Sequence, residues 1–398
     1  MLKKFRYLDY YLLVPYLVLC AIGIVMDYSA SASWIQNQYG QASNSVMLKQ
    51  LLFVVIGLVV ALFFFYFKLS NFRNHKLIGF VWLVLLGLLV YLFLIGRLDP
   101  SSVVNGASAW IPIGPFNLQP TEFAKLVVII YLAHIFTQRQ DAMRQPDFHV
   151  RDLYAPILLV GICLILVFFQ PDTGGFLIIA AIMVVMLAAS GISLRYGFSW
   201  MALVGALVAA VYWVLDNVNL PKSIITNYRV RRIVSSLHPF QTRANDGNQV
   251  FNSLVAIDHG GLFGVGLGMS SQKLGYLSQP YTDFILAVIA EELGAIGAIL
   301  VIALIFFLIL RCYLIGVRSR NPYHSLLAYG IATMMLIQTF FNVGAVLGLI
   351  PVTGVTLPFI SYGGSSMIVL AISMGIMLNI SASEKRVSEK KAAAQPAK

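Results

Sequence analysis

Apolar runs close to 20 residues long, separated by short polar connectors, recur along nearly the whole chain. A helix needs about 20 apolar residues to cross a bilayer. In lipid, only helices and closed barrels can satisfy their own backbone groups. The repeated runs therefore predict an all-α polytopic membrane protein. Composition agrees: 59% of residues are apolar and 11% charged, against about 25% charged in soluble domains.

Ten spans are expected, over 10–28, 48–67, 78–96, 119–137, 154–170, 174–191, 197–215, 282–310, 325–349 and 358–380. With the N-terminus in the cytoplasm, cytoplasmic segments hold 18 of the 27 Lys and Arg, as the positive-inside rule requires. Both termini then lie inside, and loops 97–118 and 216–281 outside. The net charge of +11 records this orientation and is no sign of nucleic-acid binding. Residues 1–380 read as one membrane domain that includes the large loop, and 381–398 as a charged, disordered cytoplasmic tail. The first run mimics a signal peptide but is long, contains Pro15 and precedes many spans, so it reads as an uncleaved helix. Cys20, Cys163 and Cys312 sit at unrelated spacings and read as small buried hydrophobes, with no disulfide framework or metal cluster.

The longest polar interruption runs from Asp216 to Tyr281. It carries Arg229, Arg231 and Arg232, the glycines Gly260 to Gly268, then Gln272 and Lys273, and delivers Asp283 to the eighth span. Arginine suits bidentate phosphate binding; a solvated patch facing lipid headgroups is the plainer alternative. The glycines follow no strand–helix unit and read as tight turns beside the membrane. Thr282-Asp283 reads locally as an N-cap, with the helix dipole keeping the carboxylate ionised.

Charge inside a span is costly and marks function by default. Gln119-Pro120-Thr121-Glu122 opens the fourth span, and Lys125, three residues after Glu122, shares its face and can pair with it. A snorkelling lysine would give the same pattern. Trp110 in the preceding outer loop reads as an interface anchor or a substrate contact. Glu291 and Glu292 are deep in the eighth span with no basic neighbour in their helix, so they need a partner from elsewhere, the arginine cluster or Lys125 being candidates. Pro351 to Gly354 and Ser361-Tyr362-Gly363-Gly364-Ser365-Ser366 form a second small-residue, hydroxyl-rich turn on the outer face.

Taken in order, these segments resemble the SEDS family (shape, elongation, division and sporulation) of bacterial cell-wall polymerases, the FtsW/RodA group. The resemblance rests on Trp110 after Gly106-Ala107, Gln119-Pro120-Thr121-Glu122 with Lys125, and Gln170-Pro171-Asp172 with Gly174. It continues through Tyr228-Arg229-x-x-Arg232, the glycines 261, 264, 266 and 268, Gln272-Lys273, Thr282-Asp283-Phe284-Ile285, Glu291-Glu292-x-Gly294 and Pro351 to Ser366. The chain departs from the family at Leu277-Ser278-Gln279-Pro280-Tyr281, where an acid and a histidine are usual, at Ala109 in place of an arginine, and at Asp258-His259.

The resemblance implies an inverting peptidoglycan glycosyltransferase in the bacterial cell membrane that polymerises lipid II into glycan strands. Its implied partners are a class B penicillin-binding protein (a transpeptidase), other divisome or elongation proteins, and membrane lipid. Asp283 is the implied catalytic acid, acting as base on the acceptor hydroxyl. Trp110, Gln119, Glu122, Lys125, Arg229, Arg232, Gln272, Lys273, Glu291, Ser361, Gly363 and Ser365 are the expected substrate contacts. A divalent cation such as Mg2+ could assist; no metal ligands are assigned. Tyr28-Ser-Ala-Ser and the basic tail lean toward the division type, at the septum. A lipid-linked precursor flippase and a non-catalytic scaffold are the competing readings.

Overall fold

The computed structural model describes residues 2–39, 42–98, 109–114, 116–143, 145, 153–191, 228–237, 240 and 247–394, with scattered positions between 202 and 214. Among them are α1 (Tyr10–Tyr39), α2 (Ser45–Tyr66), α3 (His75–Leu98), a hairpin of β1 (Ile111–Ile113) and β2 (Phe116–Leu118), and α4 (Pro120–Met143). Next come α5 (Tyr154–Phe169), α6 (Thr173–Ala189), α7 (Tyr228–Leu237), α8 (Asn248–Gly260), α9 (Ile285–Arg318), α10 (Pro322–Val346) and α11 (Gly364–Ala394). Seven of these helices are long and apolar enough to cross a membrane, and α5 and α6 are shorter apolar helices. The chain is thus an all-α polytopic membrane protein. The expected seventh span, 197–215, falls mostly outside the described residues.

Several expected boundaries move. The first helix continues to Tyr39 where 28 was expected. The last begins at Gly364, because Pro358 and Phe359, the latter left-handed at φ 66°, form a turn where a helix was expected from 358. α11 runs on into the charged C-terminal segment as far as Ala394. Its residues Glu, Lys and Ala are good helix formers. Glu384 also accepts from Ser319 Oγ (2.8 Å) and from His324 Nδ1 (2.9 Å), which anchors the helix.

α11 lies against α2, and α9 packs on α1, α8 and α10. The α2–α11 seam depends on small residues: a Cβ on Gly375 would sit 2.5 Å from the Ala61 carbonyl. Such close approach is how helices associate where lipid removes the usual hydrophobic drive.

The glycine-dense segment after α8 is more than a set of surface turns. α9 breaks at Gly294, whose backbone (φ 73°, ψ 177°) is non-helical. The groups freed by the break pair with the glycine segment. The amides of Val265 and Gly266 donate to the carbonyls of Glu291 and Glu292, each at 3.0 Å. In return, the amides of Ala295 and Ile296 donate to Gly261 and Leu262 at 2.9 and 3.3 Å. Gly294 is nine residues into α9, about 14 Å along it. Irregular backbone at such depth is tolerated only when protein satisfies it, and this splice does so.

Candidate functional site

At one end of the helices, a cavity of about 350 Å³ opens between segments far apart in sequence. Lys49 and Phe53 of α2 form one wall, and Trp110, Phe116, Asn117, Gln119 and Glu122 of the hairpin and α4 another. Asp172 comes from the α5–α6 turn and Arg232 from α7. Gln279, Thr282 and Asp283 precede α9, while Thr353, Gly354, Thr356 and Tyr362 to Ser366 complete the rim.

Local chemistry explains each placement. Asp172 caps α6 by accepting from the Gly175 amide (2.8 Å), and its other oxygen accepts from Gln119 Nε2 (3.1 Å). Ser365 Oγ accepts from the Gln119 amide (2.9 Å) and donates to the Asn117 carbonyl (3.2 Å), tying the hairpin to the start of α11. Arg232 donates to the Val352 carbonyl at 2.9 Å, which holds α7 over the cavity. Glu122 in the lining pairs at 2.8 Å with Lys125, which is buried one layer behind it. An exposed snorkelling lysine would need solvent, and Lys125 is 1% exposed, so the pairing reading holds.

Asp283 is not the helix cap. That position belongs to Phe284, and no side chain caps α9. Asn342 Nδ2 donates to the carbonyls of Asp283 (2.8 Å) and Val355 (2.9 Å), fixing the Asp283 backbone against the 353–356 rim. The carboxylate faces Gly354, whose missing Cβ would lie 3.6 Å from Asp283 Oδ2. Burial raises its pKa from 3.8 to about 6, opposed by the charge of Arg232 and a hydrogen bond from Thr282.

Four expected contacts, Glu291, Gln272, Lys273 and Ser361, stand outside the cavity lining. Glu291 is fully buried and accepts from Ser270 Oγ, from Ser271 N and Oγ (both 2.9 Å), and is 2.9 Å from His259 Nδ1. Lys273 Nζ donates to Glu292 Oε1 (2.7 Å), Ser29 Oγ (3.1 Å) and the Gly268 carbonyl (2.8 Å). The partners of the two glutamates are thus Lys273 and the 270–271 turn, in place of the arginine cluster or Lys125. Gln272 and Lys273 belong to this polar core, away from the cavity lining. Ser361 Oγ, behind the rim, accepts from the Leu357 amide at 2.8 Å. The Arg229 side chain lies outside the described residues.

The structure also adds lining residues that sequence reasoning missed, chiefly Lys49, Asp172 and Thr353. Lys49 was legible only as a charge at a span edge, and Asp172 only as part of a Gln-Pro-Asp string.

The profile of the FtsW/RodA/SpoVE family, described as a cell cycle protein, matches residues 10–386. A Bacillus subtilis (strain 168) protein named as a probable peptidoglycan glycosyltransferase FtsW is 40% identical over 392 residues, covering 98% of this chain and 95% of that one. A Lactococcus lactis protein of the same name is 38% identical over 403 residues, covering 97% and 95%. Among solved structures, the Thermus thermophilus rod shape determining protein RodA superposes with a TM-score of 0.63 at 26% identity, covering 94% of this chain and 96% of that one. Coverage at both ends of these matches and the shared fold lead to one assignment: the chain belongs to the FtsW/RodA/SpoVE family.

Proposed function

We propose that this chain is a peptidoglycan glycosyltransferase that polymerises lipid II on the outer face of the bacterial cytoplasmic membrane. The observation that carries the reading is the placement of Asp283: a carboxylate with a pKa raised to about 6, in a polar cavity at the end of apolar helices. A base works best with a pKa near the operating pH. Asp283 accepts the proton of the acceptor sugar hydroxyl, whose oxygen attacks the anomeric carbon of the lipid-linked donor. The anomeric bond to the pyrophosphate breaks with inversion, and undecaprenyl pyrophosphate leaves with the bonding pair. The departing charge needs neutralisation more than a proton, and Lys49 and Arg232 are the cations in the lining.

The surroundings suit a lipid-borne substrate. Leu118, Pro120 and Phe123, neighbours of Gln119 and Glu122, belong to an apolar groove of about 260 Å³ between α3 and α4. An isoprenoid chain would lie there while its headgroup occupies the cavity. For a divalent cation, the described residues contain no group of three or more His, Cys, Asp or Glu. No step here is routed through a metal.

In this reading the membrane domain has ten spans with both termini cytoplasmic, and the partner is a class B penicillin-binding protein at the division septum. The relatives named FtsW support the division type. The test is purified protein supplied with lipid II. Glycan strands that lengthen with time support the reading; transfer of a labelled lipid between leaflets with no polymer overturns it.

A further inference from the structure

One side chain beside Asp283 has no part in the proton transfer described above: Gln279, half-buried in the cavity lining. The Phe284 amide donates to the Gln279 carbonyl at 3.3 Å, closing a turn that brings Gln279, Thr282 and Asp283 together in the lining. Pro280, buried within this turn, narrows its backbone freedom by fixing φ. The segment leading into the turn is anchored on α8. Asn252 Nδ2 donates to the Tyr276 carbonyl at 2.7 Å, and Gln249 Nε2 donates to Ser278 Oγ.

Within the turn, Thr282 Oγ1 donates to Gln279 Oε1 at 3.1 Å. The Thr282 side chain is also the hydrogen-bond donor that favours the ionised form of Asp283. A threonine hydroxyl carries one proton and two lone pairs. It cannot serve both acceptors fully, so what Gln279 takes from Thr282 the Asp283 carboxylate loses. Hydrogen bonds to the charged form of a carboxyl group hold it ionised, and charge-assisted bonds are the stronger ones. An ionised Asp283 therefore draws the Thr282 proton to itself. A protonated Asp283 donates to Thr282 Oγ1 instead, and the Thr282 proton turns to Gln279 Oε1.

The other charged groups in the lining are Lys49 from α2, Glu122 from α4, Asp172 from the α5–α6 turn and Arg232 from α7. Arg232 acts on Asp283 by its charge, whereas Gln279 reaches it through the Thr282 hydroxyl. The geometry points to Gln279 as a positioning residue: it shares the Thr282 proton with Asp283 and so governs how readily Asp283 takes a proton from the acceptor hydroxyl. An amide suits this task because it accepts the hydrogen bond without adding a second negative charge next to the base. This role rests on Asp283 being the base of the polymerisation proposed above.

The test is the pH profile of kcat/KM for lipid II polymerisation by the purified full-length chain and its variants. Gln279→Leu leaves the Thr282 proton to Asp283, so its acidic limb is expected about half a pH unit lower, the size of a partial hydrogen bond. Gln279→Glu puts a second carboxylate on the same hydroxyl, and its limb is expected to move up by about 1 pH unit or more. Gln279→Glu is near-isosteric and carries the test should Gln279→Leu not fold. With Thr282→Val the shared proton is gone, and adding Gln279→Leu is expected to move the limb no further. A packing role would lower the rate at every pH and leave the limb in place. Limbs of Gln279→Leu and Gln279→Glu that coincide with that of the wild type would overturn the proposal. A wild type that polymerises with no acidic limb would overturn the assignment of Asp283 as the base, and the role of Gln279 with it.

Discussion

Lys273 Nζ lies 2.7 Å from Glu292 Oε1, and both side chains are buried. This pairing takes out of the cavity a lysine that the sequence places beside the candidate pyrophosphate ligands. It also explains how α9 carries a deep acid: the segment before the helix folds back and supplies the cation, with Ser29 of α1 bonding the same carboxylate. Removing one partner of a buried pair costs about 3–5 kcal/mol because the other charge is left uncompensated. Lys273→Met is therefore expected to lower stability by that order. Lys273→Met combined with Glu292→Gln is expected to recover much of it. Thermal unfolding of both variants in detergent checks this.

The pair Glu122–Lys125 predicts a different pattern, because Glu122 lines the cavity and Lys125 supports it from behind. Glu122→Ala is expected to lose both stability and polymerisation. Glu122→Gln with Lys125→Met removes both charges and is expected to fold, yet stay at least about 100-fold below wild type, the scale of losing one preorganised electrostatic contact. Wild-type polymerisation rates in the double variant would reduce the pair to packing.

The raised pKa of Asp283, about 6, fixes the sign of two pH effects. As the base, Asp283 must be ionised, so kcat/KM for polymerisation is expected to rise through about pH 6 and level off above it. Stability runs the other way. A carboxyl whose folded pKa is above its unfolded value contributes fully below about pH 4, and that contribution is lost as pH rises through about 6. Asp283→Asn should therefore gain stability relative to wild type across that window. Parallel rate and melting profiles between pH 4.5 and 8 (roughly the span of the shift) check both signs.

The break in α9 is sterically demanding. A Cβ on Gly294 would stand 2.3 Å from the Leu262 carbonyl, and the backbone there has φ 73°. Gly294→Ala must then displace the glycine segment and its four hydrogen bonds to α9. A loss on the order of 3 kcal/mol or more is expected, since strain and buried unpaired backbone groups act together. Gly87→Ala in α3 offers a contrast, because nothing lies within 4 Å of a Cβ added there. Yield of monodisperse protein and melting temperature compare the two.

Much of this architecture can be read from hydrophobic runs, because span length is set by bilayer thickness and not by distant contacts. The start of α4 was legible for the same local reason: proline at the first position and an acid in the first turn suit a helix N-terminus. What escaped depended on tertiary partners. The cap reading of Thr282-Asp283 failed because the turn continues to Phe284, held there by Asn342 from α10. Lys49 gave no local sign of facing a cavity whose other walls lie more than 50 residues away in sequence. The contacts of Glu384 with Ser319 and His324 likewise depend on a segment more than 50 residues away. The candidate site was thus legible as a set of motifs, while its division into a cavity and a separate buried core around Glu291, Glu292 and Lys273 was not.

Asp283 as the proton acceptor is tested by a single substitution. Purified Asp283→Asn, with a near-isosteric side chain that cannot act as a base, is incubated with lipid II beside the wild type at pH 7.5 (about 1.5 above the pKa). The variant is expected to fold and insert in the membrane but to polymerise at least about 100-fold more slowly than the wild type. Polymerisation at the wild-type rate by Asp283→Asn would contradict this role for Asp283.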